Sequence, residues 1–341
     1  MTLAQLRYLL AIVDANLNIT VAAQRVNATQ PGLSKQLKLL EEKLGLQIFV
    51  RRGKRLESIS PTGAQVVERA RVLLSEAANI HALAANHRQD NQGELVIATT
   101  QTQARFVLPA ALKRLKSQSP DVSVRLNLFS DAQRAASARQ DADLMVASAV
   151  EWPQTADLVA PLYRWRRVAL MPANHPLATL SRPLTLADLS AYPLIGYESA
   201  LGSHATVTAA FANAGAPAEF AYTAHDTEVI RTFVRTGLGV GLIAEMAVGD
   251  DADLVHREIE GLPACHAYVL LRRDRVTRDY VIDLVAALTP RFSRRDIVRA
   301  LLPQGQLPAA PAPSWRDWQA SIEAHAPNFF AEAADERQVA A

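Results

Sequence analysis

A chain of 341 residues that is 49% apolar and 21% charged has room for two or three globular domains, and neither figure marks a disordered chain. Charges interrupt its longest apolar stretches every few residues, as in VVERARVLLSEAANIHALAA, which excludes a membrane-spanning run. The net charge of +2 hides an asymmetry: residues 1 to 60 hold nine Lys/Arg against four acids, +5, and leave −3 on the other 281, so a polyanion partner is expected at the N-terminal end.

The N-terminus lacks a basic flank and a small-residue cleavage site, and Asp14 stands where a signal core is apolar, so a cytoplasmic protein is expected. Leu3, Leu6, Leu9, Leu10 and Val13 repeat at helical spacing, and NITVAAQRV reads as a short second helix with Ala22 and Ala23 at a close crossing. In TQPGLSKQLKLLEEKLG, Thr29 is a good N-cap, Pro31 falls in the first turn, Leu33, Leu37, Leu40 and Leu44 form the apolar face, and Gly45 ends the helix. Gln30, Ser34, Lys35 and Lys38 lie opposite that face. A helix, a tight turn and a second helix that is polar and basic at its start is the arrangement that enters a DNA major groove, where Gln reads adenine and Lys reaches guanine or phosphate. In IFVRRGKRLESISPTG, Arg51, Arg52, Lys54 and Arg55 surround Gly53 between two short apolar alternations, as in a hairpin wing that grips the DNA backbone. The alternative is a solvated charge run on a helical bundle.

The stretch AAQRVNATQPGLSKQLKLLEEKLGLQIFVRRGKRLESISPTG resembles the winged helix-turn-helix signature of LysR-type transcriptional regulators. It has the Ala-Ala pair, the Thr-Gln-Pro cap, the Ser-basic pair, the Leu-Glu run, Gly-Leu and a Thr-Gly that opens a linker helix. One departure is Val50, which separates Phe49 from Arg51. The resemblance implies that double-stranded promoter DNA is contacted through Thr29, Gln30, Pro31, Ser34, Lys35, Lys38, Arg51, Arg52, Lys54 and Arg55.

Pro61 and Thr62 start a helix that runs to about His87, with Ala64, Val67, Leu74, Ala77, Ala78 and Ile80 on an apolar stripe. The same helix of a second subunit, or the chain's own C-terminal domain, would cover that stripe. RQDNQG, residues 88 to 93, marks a domain boundary. Strands and helices then alternate: LVIATT, ARFVLPAALKRLKSQ, VSVRLNLF, AQRAASARQ, DLMVAS, PLYRWRRVALMP, LADLSAYPLIGY, SHATVTAAFANAG, EFAYTAH, TEVIRTFVRTG and VGLIAEM. The alternation predicts open, mainly parallel sheets with ligands at the C-terminal strand ends. At one such end stand Thr100, Gln101, Thr102 and Gln103, uncharged groups that could hold a small anion without a countercharge, or merely cap a turn. Further polar junctions carry Ser148, Gly202 and Ser203 within ESALGSHAT, and His225 and Thr227 within TAHDTEV.

GLGVGLIA lacks the Lys-Ser/Thr of a phosphate loop and reads as a helix-to-strand turn. Trp165 is expected to pack where the chain crosses between lobes. Cys265, the single cysteine, excludes an intramolecular disulfide and a cysteine metal cluster and reads as a buried small hydrophobe. From Pro303 the chain is a Pro/Ala-rich tail in which SWRDWQASIEAH is a candidate docking helix, with Ser314 as cap and Trp315, Trp318 and Ile322 on one side.

The resemblance narrows to the CysB-like branch, which controls sulfur assimilation, through NLNITVAAQRVNATQPGLSKQLKLLEEKLGLQIF, IATTQTQARFVLP and HDTEVIRTFVRTGLGVGLIAEMAV. It implies an α/β chain: a winged helix-turn-helix at 1–60, a linker and dimerisation helix at 61–90, a two-lobed periplasmic-binding-protein-like effector domain at 91–302, and a tail at 303–341. Lobe one would take 93–163 plus 267–300, and lobe two 164–266. Effector contacts carry over to Thr100, Thr102, Gln103 and Ser148, with Gly202, Ser203, His225 and Thr227 on the second lobe. Gly202 stands where a hydroxyl is expected, and His225 where CysB itself carries Thr. The resemblance further implies no cofactor and no catalytic residue. Its effector would be sulfate, thiosulfate, N-acetylserine, O-acetylserine or adenylyl sulfate, its assembly a homodimer or homotetramer, and RNA polymerase a further partner. A regulator of another pathway, a solute-binding module and an enzyme are the rival readings. The second needs export, and the third lacks a metal-ligand cluster or an evident partner for His225.

Overall fold

A computed structural model describes residues 1–53, 55–130, 135, 138–140, 142–198 and 206–324, and the chain divides into two compact units, Met1–Arg88 and Gln89–Ala341. Lys54, Gly202 and Ser203 lie outside the described residues.

In the first unit α1 (Leu3–Asp14) opens on a reciprocal cap, Gln5 N donating to Thr2 Oγ1 and Thr2 N to Gln5 Oε1. Asn18 caps α2 (Ile19–Arg25), whose Ala22 and Ala23 are buried. α3 (Gln30–Leu44) begins with Gly32 N donating to Thr29 Oγ1 at 3.2 Å and ends at Gly45, whose φ of +67° is left-handed. Leu33, Leu37 and Leu40 meet Leu6, Leu9 and Ile12 in one core, with Leu44 at its rim. β1 (Phe49–Arg52) and β2 (Arg55–Ile59) form the antiparallel hairpin, Phe49 opposite Ile59.

α4 (Pro61–His87) is capped by Ser60 and pressed against the chain entering the hairpin. A Cβ on Gly63 would stand 2.0 Å from Ile48 O, so this helix turn tolerates no side chain there. The apolar stripe read along α4 is divided. Val67 and Ala70 are buried against the three-helix core and Leu74 packs at its edge, but Ala64 and Ala78 are exposed and Ile80 is 66% exposed, alongside Val72, Leu73 and Leu83. The short α1 covers only the first turns of a 27-residue helix.

The second unit holds two five-stranded sheets. Lobe one contains β3 (Gly93–Thr99), α5 (Gln101–Phe106), α6 (Leu108–Gln118), β4 (Val122–Leu128), β5 (Leu144–Ala149) and β6 (Leu158–Trp165). The run ARFVLPAALKRLKSQ is two helices rather than one. Pro109 has no N–H to give to Arg105, and the chain breaks at Val107. AQRAASARQ lies largely outside the described residues.

Lobe two contains β7 (Arg167–Pro172), α7 (Leu186–Ser190), β8 (Leu194–Tyr197), α8 (Thr206–Asn213), β9 (Phe220–Ala224), α9 (Thr227–Arg235), β10 (Val240–Ala244) and β11 (Leu254–Glu258). The chain then returns to lobe one as β12 (Cys265–Leu271), α10 (Asp279–Leu288), α11 (Arg294–Leu301) and α12 (Trp315–Ala324). Strand orders are β4-β3-β5-β12-β6 and β11-β7-β10-β8-β9. β3, β4 and β5 are parallel, as are β8, β9 and β10, but β12 runs against β5 and β6, and β7 against β10 and β11. The sheets are therefore mixed, because the strands that carry the chain between lobes enter from the opposite end. Those passages fall at Arg166 and between Glu258 and Cys265.

GLGVGLIA is the turn from α9 into β10: a Cβ on Gly239 would lie 2.4 Å from Pro193 O, so the loop needs glycine for close packing. Lobe one extends past residue 302. Arg273 donates to Leu302 O and Gly305 O, Arg291 to Pro311 O, and Arg164 to Ala312 O, which straps the Pro/Ala segment down. Trp315, Trp318 and Ile322 of α12 then join the lobe-one core.

Candidate functional site

On the first unit, Thr29, Gln30 and Pro31 are exposed at the start of α3, and Gln30 Nε2 donates to Ser34 Oγ at 3.2 Å. Lys35 and Lys38 are exposed on the same helix, with Lys38 3.6 Å from Glu42. Arg55 is exposed on β2, and the Arg52 side chain is 85% exposed and only 4.0 Å from Glu57 at its nearest. Loose, solvated pairs of this kind cost little to exchange for phosphate.

Arg51 differs from these cations. Its Nη2 lies 2.8 Å from Glu41 Oε2, while the buried Glu41 accepts Ile48 N at 2.9 Å and Phe49 N at 3.3 Å. Arg51 thus neutralises the carboxylate that joins α3 to the wing. Glu41 was not singled out from the sequence, although an acid next to Leu40 at the edge of an apolar face was the signal.

On the second unit, the four polar residues after β3 go in four directions. Thr100 caps α5, its Oγ1 accepting from Gln103 N at 3.4 Å. The Gln101 side-chain amide donates to Asp226, at the start of α9. Thr102 lies beside the Tyr197 hydroxyl at the end of β8, and that hydroxyl also lies 2.6 Å from Thr227 Oγ1. Gln103 points inward: it is 1% exposed, and its Oε1 accepts from Tyr163 OH at 2.7 Å.

Hydroxyls from both lobes therefore meet where β3 and β8 end. Burial pushes the Tyr197 phenol above its ordinary pKa, and the neighbouring hydroxyls and Arg167 only partly oppose it, so it stays a neutral donor. Ser148 is half-buried on β5, in register with Ala267 and beyond the pairing of Thr99 with Val146. Thr227 is buried and committed to Tyr197, whereas His225 is exposed with Nε2 2.6 Å from Glu198 Oε2. Across the same junction Arg105 Nη1 lies 2.9 Å from Glu228 Oε1. Tyr197, Gln101, Asp226, Arg105 and Glu228 were not named from the sequence as site residues, although LIGY ended a strand on a hydroxyl-bearing side chain.

Trp165 is buried at the passage between lobes, with the Arg167 guanidinium 5.4 Å from its ring. Arg167 Nη1 donates to Cys265 Sγ at 3.2 Å, yet burial raises the thiol pKa, so Cys265 is an inert core residue. Among the described residues no group of three or more His, Cys, Asp and Glu could hold a metal, and no helix is long and apolar enough to cross a membrane.

A helix-turn-helix with a wing, a long helix and a two-lobed α/β domain define a DNA-binding transcriptional regulator with an effector domain. Residues 3–64 match the bacterial regulatory helix-turn-helix protein, lysR family, and residues 88–293 match the LysR substrate binding domain. The chain belongs to the LysR family and is a regulator rather than an enzyme. It is 37% identical over 309 residues to the HTH-type transcriptional regulator CysB of Haemophilus influenzae, covering 88% of this chain and 94% of that one. It is 34% identical over 308 residues to the regulator Cbl of Escherichia coli, covering 89% and 96%. A full-length OxyR from Pseudomonas aeruginosa shares the fold at a TM-score of 0.64 and 22% identity, over 91% of this chain and 99% of that one.

Proposed function

We propose that this regulator senses a small sulfur-related metabolite or anion in the cleft between its lobes and controls genes for cysteine, sulfate or sulfonate assimilation. Sulfate, thiosulfate, N-acetylserine, O-acetylserine and adenylyl sulfate are the candidate ligands. The observation that carries the reading is the meeting of the Thr102, Tyr197 and Thr227 hydroxyls from both lobes, with Thr100 and Ser148 on the neighbouring strand ends, in a chain similar over 88–89% of its length to CysB and Cbl. Such donors suit an oxyanion or a small polar acid without a formal countercharge. Gly202, Ser203 and His225 complete the proposed effector set, while Gln103, expected there from the sequence, is buried against Tyr163 and supports the turn from behind.

Thr29, Gln30, Pro31, Ser34, Lys35, Lys38, Arg52, Lys54 and Arg55 contact promoter DNA in this reading, and Arg51 supports them through Glu41. The active species is a cytoplasmic dimer or tetramer joined through α4, whose exposed Leu73, Ile80 and Leu83 supply an apolar face, with RNA polymerase as a further partner. A ligand that binds one lobe arrangement more tightly shifts the oligomer and with it the DNA contacts. The exposed His225–Glu198 pair favours a second reading, a regulator of another pathway whose ligand carries a positive or hydrogen-bonding group.

Thermal unfolding of the full-length protein against the candidate ligands tests the proposal. One of them should raise Tm saturably, and the shift should vanish in Thr100→Val plus Thr102→Val. No shift with any defeats the sulfur reading and leaves the family assignment standing, whereas a shift that survives the double substitution reduces Thr100 and Thr102 to a structural turn.

A further inference from the structure

The last described helix of the chain reaches, through one tyrosine, the turn that carries Thr100 and Thr102. Tyr163 is fully buried. Its ring centroid lies 4.9 Å from those of both Trp315 and Trp318 in α12, and the two indoles stack at 5.4 Å. Trp318 is fixed in turn, Nε1 donating to Leu288 O at 2.9 Å, and Ser314 caps the helix through Asp317 N. At its other end the Tyr163 hydroxyl donates to Gln103 Oε1 at 2.7 Å, and Gln103 N is the group that Thr100 caps. Burial holds the phenol neutral, so it remains a donor at any working pH.

We propose that α12 is a positioning element for the effector loop: Trp315 and Trp318 wedge the Tyr163 ring so that its hydroxyl holds Gln103 and, through Gln103, the first turn of α5. The proposal deepens the reading of this cleft as the effector site. Its geometry explains why lobe one needs chain beyond residue 302. Without α12 the Tyr163 ring loses both indole contacts, and the hydroxyl that sets Gln103 loses its fixed direction. Tyr163, Trp315 and Trp318 are positioning residues, since none of them reaches Thr102 or Tyr197 directly.

The test needs no ligand. Amide hydrogen exchange of the full-length protein is followed over residues 101–107 in Tyr163→Phe, Trp315→Ala, Trp315→Phe and the double variant Tyr163→Phe/Trp315→Ala. Tyr163→Phe and Trp315→Ala should each speed exchange in that segment about fivefold, the factor that the net loss of one ordinary hydrogen bond carries. Trp315→Phe should restore it. The double variant should exchange there no faster than either single one while melting at a lower temperature, because both act on one hydrogen bond. Unchanged exchange at 101–107 in Trp315→Ala beside a lower Tm would reduce α12 to a cover for the core, and multiplying effects in the double variant would make the two residues independent; either result overturns the proposal. Should Trp315→Ala fail to fold, Trp318→Phe replaces it: it keeps a ring but drops the bond to Leu288 O, and no local acceleration there is equally fatal. Because ligand binding is not measured, failure of the sulfur reading leaves the outcome of this test intact.

Discussion

The Gln101 side chain of lobe one donates to the Asp226 carboxylate of lobe two, 125 residues away in sequence, and Asp226 is at the same time the N-cap of α9, accepting from Glu228 N. One acid therefore fixes a helix start and ties the two sheets together. Gln101 is exposed, so Gln101→Ala should cost well under about 1 kcal/mol. Asp226→Ala also strips the cap and should cost about 1 kcal/mol more. Urea denaturation of the two variants decides it, and equal losses would mean that the cap contributes nothing.

Gln30 and Ser34 face outward from the start of α3, whereas Arg52 sits on the wing. The double variant Gln30→Ala/Ser34→Ala should lose about 1–3 kcal/mol of discrimination between operator and mismatched duplexes. Arg52→Ala should weaken all duplexes alike and lower the slope of log K against log salt by about 0.9. Titrations at several salt concentrations on matched and scrambled DNA separate the two behaviours. A mismatch penalty that moves with Arg52 rather than with Gln30 and Ser34 would reverse the roles.

Glu41 accepts two buried backbone N–H groups and one guanidinium. Glu41→Ala leaves Ile48 N and Phe49 N without an acceptor, an expected loss of about 1–3 kcal/mol per amide. Glu41→Gln keeps an acceptor and should fall between that variant and wild type. Equilibrium unfolding that ranks Gln with Ala would mean that charge, not acceptor geometry, sustains the joint.

Asp188 caps α7 through Thr185 and receives both outer nitrogens of Arg182, at 2.6 and 2.9 Å. The Arg182 guanidinium, then the Thr185 N–H and hydroxyl, hold its carboxyl well below the usual carboxylate range. A depressed folded pKa means that the unfolded chain takes up the proton first. The stabilisation is thus fully present above about pH 4 and is lost progressively below it, as pH falls towards the depressed value of the folded chain. Asp188→Asn should lower Tm at pH 7, and the gap should begin to narrow as pH falls from about 4 to 3. A gap that stays constant across thermal scans from pH 7 to 3 would assign the effect to shape alone.

The features legible in the sequence are those that one stretch of chain decides for itself. Thr29 as cap, Pro31 in the first turn, Gly45 at the helix end and the period of Leu33, Leu37 and Leu40 are all local, and the helix forms as read. The candidate site is legible only to the extent that a strand ends at Thr99. Successive residues of α5 are turned by about 100°, so four similar polar side chains acquire four different neighbours, and only the packed chain separates the cap at Thr100 from the buried Gln103. Glu41 with Arg51 joins two successive elements and Tyr163 with Trp315 two distant ones, and no periodicity reports either pairing. Pro109 was in plain view, and the break at Val107 follows from its missing N–H.

The backbone contact at Gly63 has a mechanical consequence. With no side chain between α4 and Ile48 O, nothing compressible separates the helix from the strand entering the wing, so the two move as one piece. α4 is 27 residues long, roughly 40 Å at 1.5 Å per residue, and it works as a spoke on the reading head at its base. A swing of about 10° displaces the far end of such a spoke by roughly 7 Å. Torque applied near His87 thus reaches α3 as a change of angle, with Gln30 and Ser34 left undeformed.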